Sequence, residues 1–491
     1  MPDERRLLHL VPAPADAPPA EPPRPLPADD WAGAPLRSTL RFLALPVLPA
    51  LLGALNVELP GPLLYGLALA YGAALALRAA RDPEVLVAVL TLYIPLNRLW
   101  VMPIAPGLNA TNLLLMAGAA AALWGPGSAV PRTPSRMVRP VLAWMVLSGL
   151  SFVTTALSVG PEALLDLTEP IKGWLDTFTL FFVVLALTRD RPRALRLVVY
   201  VMAGTLAGMS LGFLEWLDKR DLSSIEKARL LGPQLQPNDF AAFMVYGCGP
   251  FIGLLACGWQ QWRTWPVVLY LLVMARLLLA TFSRGGYIGL AAAMAAASFV
   301  RGKLFIAALA ALLLGVVATV PEVVPQSLSA RMGTIPNDPD AQLDKSSRTR
   351  LILWHAALEM TWESPLTGKG FGRFPQLKAF YTEEPVEEKD NHNMFLYIAS
   401  QMGIPALLAF CFVVWRMLRA GMHVFRRETA LFPRSVGLGG VALAAAVVGV
   451  NMFGSRMTDV CVMAYVWIYL AALARLEVDG PGDDHGREAR P

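Results

Sequence analysis

The chain has 491 residues, of which 55% are hydrophobic and only 16% charged, and its mean hydropathy is +0.49. Soluble domains carry roughly a quarter charged residues, so a length that could furnish several soluble domains reads instead as one membrane bundle. The net charge of +5 comes from arginines clustered between apolar runs, without the basic face and interleaved aromatics of a nucleic-acid binder.

Residues 1–38 contain VPAPADAPPAEPPRPLPADD, a proline-rich stretch too poor in apolar area to fold. It lacks the apolar run and cleavage site of a signal peptide and reads as a disordered cytoplasmic tail. A helix needs about 20 apolar residues to cross the hydrocarbon core. On that measure the spans are 39–57, 61–78, 84–102, 110–124, 138–158, 172–188, 194–216, 238–257, 264–282, 285–300, 303–320, 392–415, 436–454 and 458–474. The predicted fold is therefore an all-α polytopic membrane protein of about fourteen transmembrane helices in a bundle over 39–475, followed by a cytoplasmic tail, 476–491. Arginines set the orientation: Arg78/Arg81, Arg132/Arg136/Arg139, Arg189/Arg191/Arg193/Arg196 and Arg416/Arg419/Arg426/Arg427 fall in alternate connections, which places both termini in the cytoplasm.

Two connections on the non-cytoplasmic side are long, about 217–237 and 321–391, and long loops are uncommon unless functional or disordered. The second, between spans eleven and twelve, is partly helical: Ser346/Ser347 cap RTRLILWHAALEMTW, with Leu351, Trp354, Leu358 and Trp362 at helical spacing.

The polar chemistry gathers on that side. In DNHNMFLYIASQMGIPALLAF (390–410), His392 stands where the loop re-enters the membrane, flanked by Asn391 and Asn393. A neutral imidazole there suits general-base work near neutral pH; the competing reading is a capping segment, with Asp390, Asn391 or Asn393 satisfying free N–H groups. TFSRGGYIGL puts Arg284 at the mouth of span ten, with Ser283 able to begin the helix. Arg276 lies deeper, in span nine, where a charge is expensive and marks either a functional site or a snorkelling or paired arginine. Arg229, Arg348 and Arg350 are loop arginines that could equally be solvated. Arginine forks hold phosphate oxygens bidentately and keep their charge, so these could neutralise a diphosphate leaving group without a metal; no acidic pair placed for Mg²⁺ accompanies them. TEEPVEEKD (382–390) reads as a solvated loop face, although Glu388 or Asp390 could orient His392. GKGFGRF lacks a preceding strand and the full P-loop spacing, so Gly368, Gly370 and Gly372 read as turn positions. The four cysteines, Cys248, Cys257, Cys411 and Cys461, lie in apolar runs as small packing residues.

The order of these pieces resembles the O-antigen ligase/polymerase superfamily. RLLGPQLQPNDFAAF, then SRGGYIGL, then a long loop carrying Arg350 and Trp354, then PLTGKGFGRF, then HNMFLYIASQMGIPALLAF follow that family's pattern across 225–415. The resemblance implies a cofactor-free, metal-independent inverting glycosyltransferase at the periplasmic face. Its donor would be an undecaprenyl-diphosphate-linked glycan, and its acceptor lipid A-core (ligase) or another lipid-linked glycan (polymerase). It implies His392 as the base, Arg229 and Arg284 on the diphosphate, and Arg350 as a further contact. Arg276 and Asn393 complete the substrate-binding candidates. Gln401 departs from the pattern, since many relatives carry an acidic residue there. Membrane lipids and polysaccharide assembly proteins are the other expected partners, and nucleic acid is not.

Two other classes compete: a lipid-linked oligosaccharide flippase and a scaffold of a polysaccharide assembly complex. A flippase should line a central cavity with charge in both halves, whereas these spans are mostly Ala, Leu and Val. A scaffold leaves Arg276, Arg284 and His392 without a role.

Overall fold

A computed structural model describes residues 37, 39–41, 61–99, 103–105, 108–125, 135–220, 222, 225–302, 345–456 and 459–479. Nearly all of the expected N-terminal tail and first span, the span 303–320, the loop residues 321–344 and most of the C-terminal tail lie outside them.

The described chain is helical, apart from a short antiparallel ribbon of β1 (Pro103–Ala105) and β2 (Leu108–Asn109). Helices α1 (Gly61–Arg81), α2 (Glu84–Tyr93, extended by a 3-10 turn to Leu96) and α3 (Ala110–Trp124) come first. Next are α4 (Val138–Val159), α5 (Thr168–Leu187), α6 (Arg191–Lys219), α7 (Pro237–Gly247), α8 (Gly249–Gly258), α9 (Pro266–Thr281) and α10 (Arg284–Arg301). After the loop come α11 (Lys345–Glu363), α12 (Met394–Met402), α13 (Ile404–Arg427), α14 (Leu431–Asn451) and α15 (Val460–Val478). Among the described residues, 8 helical stretches are long and apolar enough to cross a membrane: α4, α5, α6, α7 with α8, α9 with the turn before it, α13, α14 and α15. Helices α2 and α3 are apolar but shorter. Leu69, Leu157 and Phe299 are 75%, 84% and 87% exposed. A water-facing surface rarely carries such groups in number; lipid accepts them.

Helices α15 and α7–α8 form the centre, with 89% of their apolar windows buried, whereas α4, at 28%, is peripheral. Helix α14 packs against α8, α10 and α13. Lipid supplies no hydrophobic drive between helices, so small residues and close backbones do the work. A Cβ on Gly253 of α8 would come within 2.0 Å of the Ser435 carbonyl oxygen of α14, and one on Gly289 of α10 within 2.3 Å of Val450.

Several arginines of the orientation signal also hold helices together. Arg196 of α6 donates to Glu84 of α2 at 2.6 Å, and Tyr200 donates to the same carboxylate at 3.0 Å. Arg191 donates to Glu428, and Arg416 of α13 to Glu477 of α15, both at 2.9 Å. Glu84, Arg191, Arg196, Arg416 and Glu428 are all buried. Their positions on the sequence read as topology alone; the fold adds interhelix ion pairs.

Two expectations need correction. The predicted span 392–415 is two helices: α12 ends at Met402, Gly403 takes φ 87°, and α13 starts anew and runs to Arg427. An L side chain is strained at that φ, and a Cβ there would lie 2.4 Å from the Leu366 carbonyl oxygen. The apolar run hid this break because both pieces are hydrophobic. In the loop, α11 already includes Ser346 and Ser347, which therefore do not precede it as caps. Its buried face is Leu353, Ala357 and Met360, packed on Phe374, while Leu351, Leu358 and Trp362 of the predicted stripe are exposed.

Candidate active site

His392 sits in a short connection between the loop and α12, with φ 53°, a left-handed conformation uncommon for any residue but glycine. Its neighbours hold it there. Asn391 is fully buried; its carbonyl accepts the Trp354 indole N–H of α11 at 2.8 Å, and its side-chain oxygen accepts the Asn393 N–H at 3.1 Å. Ser455 Oγ lies 3.5 Å from that same oxygen, which ties the segment to the α14–α15 connection. Asn393 caps α12, its oxygen accepting the N–H groups of Phe395 and Leu396 at 3.0 and 3.2 Å. The capping reading therefore describes Asn391 and Asn393, and it leaves the His392 imidazole projecting from a fixed backbone.

The His392 side chain is 36% exposed, and its Nδ1 lies 3.7 Å from Asp390 Oδ2. Burial holds the imidazole below the usual histidine range; the Asp390 carboxylate opposes that shift, and the Arg350 and Arg456 charges add to it. Asp390 is pushed up by burial, against the pull of His392 and Arg456. His392 is thus neutral at neutral pH, the state a base requires.

The turn Gly368–Gly372 is a structural clamp. Its three glycines take φ 65°, 100° and 74°. Its N–H groups donate to Ser400 and Gln401 carbonyls, and the Gly372 N–H donates to Gln401 Oε1 at 2.8 Å. That contact needs an acceptor, which either an amide or a carboxylate supplies, so Gln401 serves the fold here.

Arg229 and Arg284 come to one turn. Arg229 Nε donates to the Thr281 carbonyl and the Leu230 N–H to the Ala280 carbonyl, each at 3.1 Å. Two residues past Thr281, Ser283 caps α10, and the exposed Arg284 is that helix's first residue. Glu215 of α6 braces the arrangement by accepting the Leu231 and Gly232 N–H groups at 3.0 and 2.7 Å. The backbone after this turn packs close to Phe453, where a Cβ on Gly285 would come within 3.2 Å, and the Phe453 ring is 6.2 Å from that of Trp354, the residue that holds Asn391. Arg276 is placed differently, with its guanidinium 5.0 Å from the Trp216 ring of α6 and one buried nitrogen without a hydrogen bond. Arg350 lies half-buried near the start of α11, where its charge acts on His392.

One cluster is not anticipated by the motifs. Arg98 donates to the Gln234 carbonyl and pairs with both Asp239 (3.0 Å) and Asp459, while Arg456 pairs with Asp239 from the other side. Three separate segments meet in this network: the residues after α2, the start of α7 with the turn before it, and the α14–α15 connection. Arg98 could have been flagged, because it falls inside the predicted span 84–102 and an arginine there needs partners.

The class of molecule follows from these observations: a polytopic membrane protein with a buried-backbone histidine and several arginines on the connections at one end of its bundle. Residues 269–411 match a family model described as O-antigen ligase, and this supports membership of the O-antigen ligase/polymerase superfamily. The match contains Arg276, Arg284, Arg350, His392 and Asn393, and stops short of Arg229 and the Arg98 network. At that coarse level the match supports a membrane enzyme of the ligase/polymerase class. A search of curated proteins finds no match.

Proposed function

We propose that the chain transfers a glycan, with inversion, from an undecaprenyl-diphosphate carrier to an acceptor hydroxyl at the periplasmic face of the bacterial inner membrane, as an O-antigen ligase or as an O-antigen or exopolysaccharide polymerase. The observation that carries this reading is His392, neutral and set by a rigid backbone on the same end of the bundle as the Arg229–Arg284 turn. Nδ1 faces Asp390, so the acceptor hydroxyl gives its proton to Nε2 as its oxygen attacks the anomeric carbon. The bond from that carbon to the diphosphate oxygen breaks, and undecaprenyl diphosphate leaves with its charge on Arg229 and Arg284, assisted by Arg350. Arginine needs no proton exchange for that task and offers a bidentate fork. No step calls for a metal or cofactor. The acceptor is lipid A-core for a ligase and a second lipid-linked glycan for a polymerase. In this arrangement about fourteen spans place both termini in the cytoplasm. The test is complementation of a deletion strain by wild type and by His392→Ala, read on its surface glycans.

A further inference from the structure

A second polar feature is a cavity of about 340 Å³ where the ends of α3, α5 and α15 and the residues after α2 meet. That is the lower end of the ~300–1,000 Å³ of small-ligand pockets. Asn112 and Thr111 of α3, Glu169 and Lys172 of α5, Arg98 and Asp459 line it. The groups are held in place. Lys172 donates to Asn112 Oδ1 at 2.9 Å and to Asp176 Oδ2 at 2.6 Å, and an ammonium has a third hydrogen to give a ligand. Thr111 is only 4% exposed, and its hydroxyl is buried with no hydrogen-bond partner.

The charges select the ligand. Glu169, Asp176 and Asp459 set three carboxylates against the two cations Arg98 and Lys172, and the amides of Asn97, Asn109 and Asn112 share the wall with them. A diphosphate would meet an excess of negative charge. An uncharged polyol finds donors and acceptors side by side, as its hydroxyls require. A relay of ion pairs links the cavity wall to the segment that carries His392. Asp459 on its wall pairs with Arg98, Arg98 with Asp239, Asp239 with Arg456, and Arg456 follows Ser455 beside Asn391.

We infer that this cavity is a saccharide subsite, holding an uncharged, hydroxyl-rich sugar residue of a glycan whose reacting end lies at His392. The inference rests on the glycosyl-transfer reading above. The sugar belongs either to the donor glycan or to the acceptor; both present the same chemistry here.

The test is direct binding to the purified full-length protein in lipid nanodiscs. The probe is short oligosaccharide cut by mild acid from the host's own surface glycan, with inorganic pyrophosphate as the contrast. Glu169→Gln is nearly isosteric at an exposed position, and Lys172→Met keeps the stem without the charge. Each variant is expected to weaken oligosaccharide binding about tenfold or more while pyrophosphate binding and the melting temperature stay as in wild type. No oligosaccharide binding by wild type, or equal binding by wild type and both variants, would overturn the inference. In transfer assays, a raised KM for the donor alone assigns the cavity to the donor, a raised KM for the acceptor alone assigns it to the acceptor, and two unchanged KM values contradict it. The catalytic reading fails separately: a fully active His392→Ala protein leaves the binding result standing.

Discussion

Asp390 and His392 face each other, Oδ2 to Nδ1, at 3.7 Å; burial shifts the proton affinity of both, and the charge of each opposes the other's shift. The distance is too long for a hydrogen bond, so the coupling is electrostatic. Because His392 titrates below the usual histidine range, a base in that position stays neutral, and transfer stays active, as pH falls through that range. Activity is lost only lower, when the imidazole gains its proton. Asp390→Asn removes an influence that raises the His392 pKa, so the acid limb of the pH–rate profile should move lower still. Arg350→Gln removes one that lowers it, so the limb should move up. Opposite shifts would break the assignment of His392 as the titrating base.

Trp354 holds the residue before His392 by a single hydrogen bond of 2.8 Å. Trp354→Phe keeps a ring in place and deletes the donor. A hydrogen bond is worth about 0.5–1.5 kcal/mol net, so kcat should fall up to about tenfold while the yield of folded protein holds. Unchanged kcat would mean that the loop carbonyl needs no anchor.

Arg284→Ala and Arg229→Ala should raise the donor KM, and lysine at either site should restore it only in part, because a point charge lacks the fork. Arg229→Ala should be the more damaging to stability, since Arg229 also anchors its turn on Thr281. Full rescue by lysine at both sites would argue against bidentate diphosphate binding. With arginines carrying the leaving-group charge, turnover should survive EDTA; loss on chelation and recovery with Mg²⁺ would show that a cation shares the task.

Glu84 and Arg196 form a buried pair between α2 and α6. Removing one partner leaves a buried charge uncompensated, at a cost of about 3–5 kcal/mol. Glu84→Ala should therefore lower the thermal midpoint of the detergent-solubilised protein sharply. The double change Glu84→Leu with Arg196→Met should restore much of it, and simple additivity of the two single changes would contradict this account of the pair.

The sequence makes His392 legible because a lone histidine between two asparagines interrupts an otherwise predictable loop-to-helix boundary. The helix start at Ser283 is legible as well, since a serine before an apolar run is a local signal and its side chain does accept the Gly286 N–H. The break at Gly403 is not, because hydropathy is continuous across it and only the positive φ and the carbonyl packed on it reveal the turn. The Arg98–Asp459 and Arg456–Asp239 pairs join residues hundreds of positions apart, and no local pattern encodes such partners. Arg276 shows a third case: its burial depth is readable from the apolar run, but its stacking on Trp216 depends on how α6 and α9 pack.

The most direct test is to delete the gene in its host, complement it with wild type and with His392→Ala, and examine lipopolysaccharide and extracellular polysaccharide. The account predicts that wild type restores the glycan and that His392→Ala, present in the membrane at the same level, does not. Accumulated lipid-linked polymer would then identify a ligase, and single repeat units or absent secreted polymer a polymerase. Equal complementation by both proteins would contradict the catalytic role of His392.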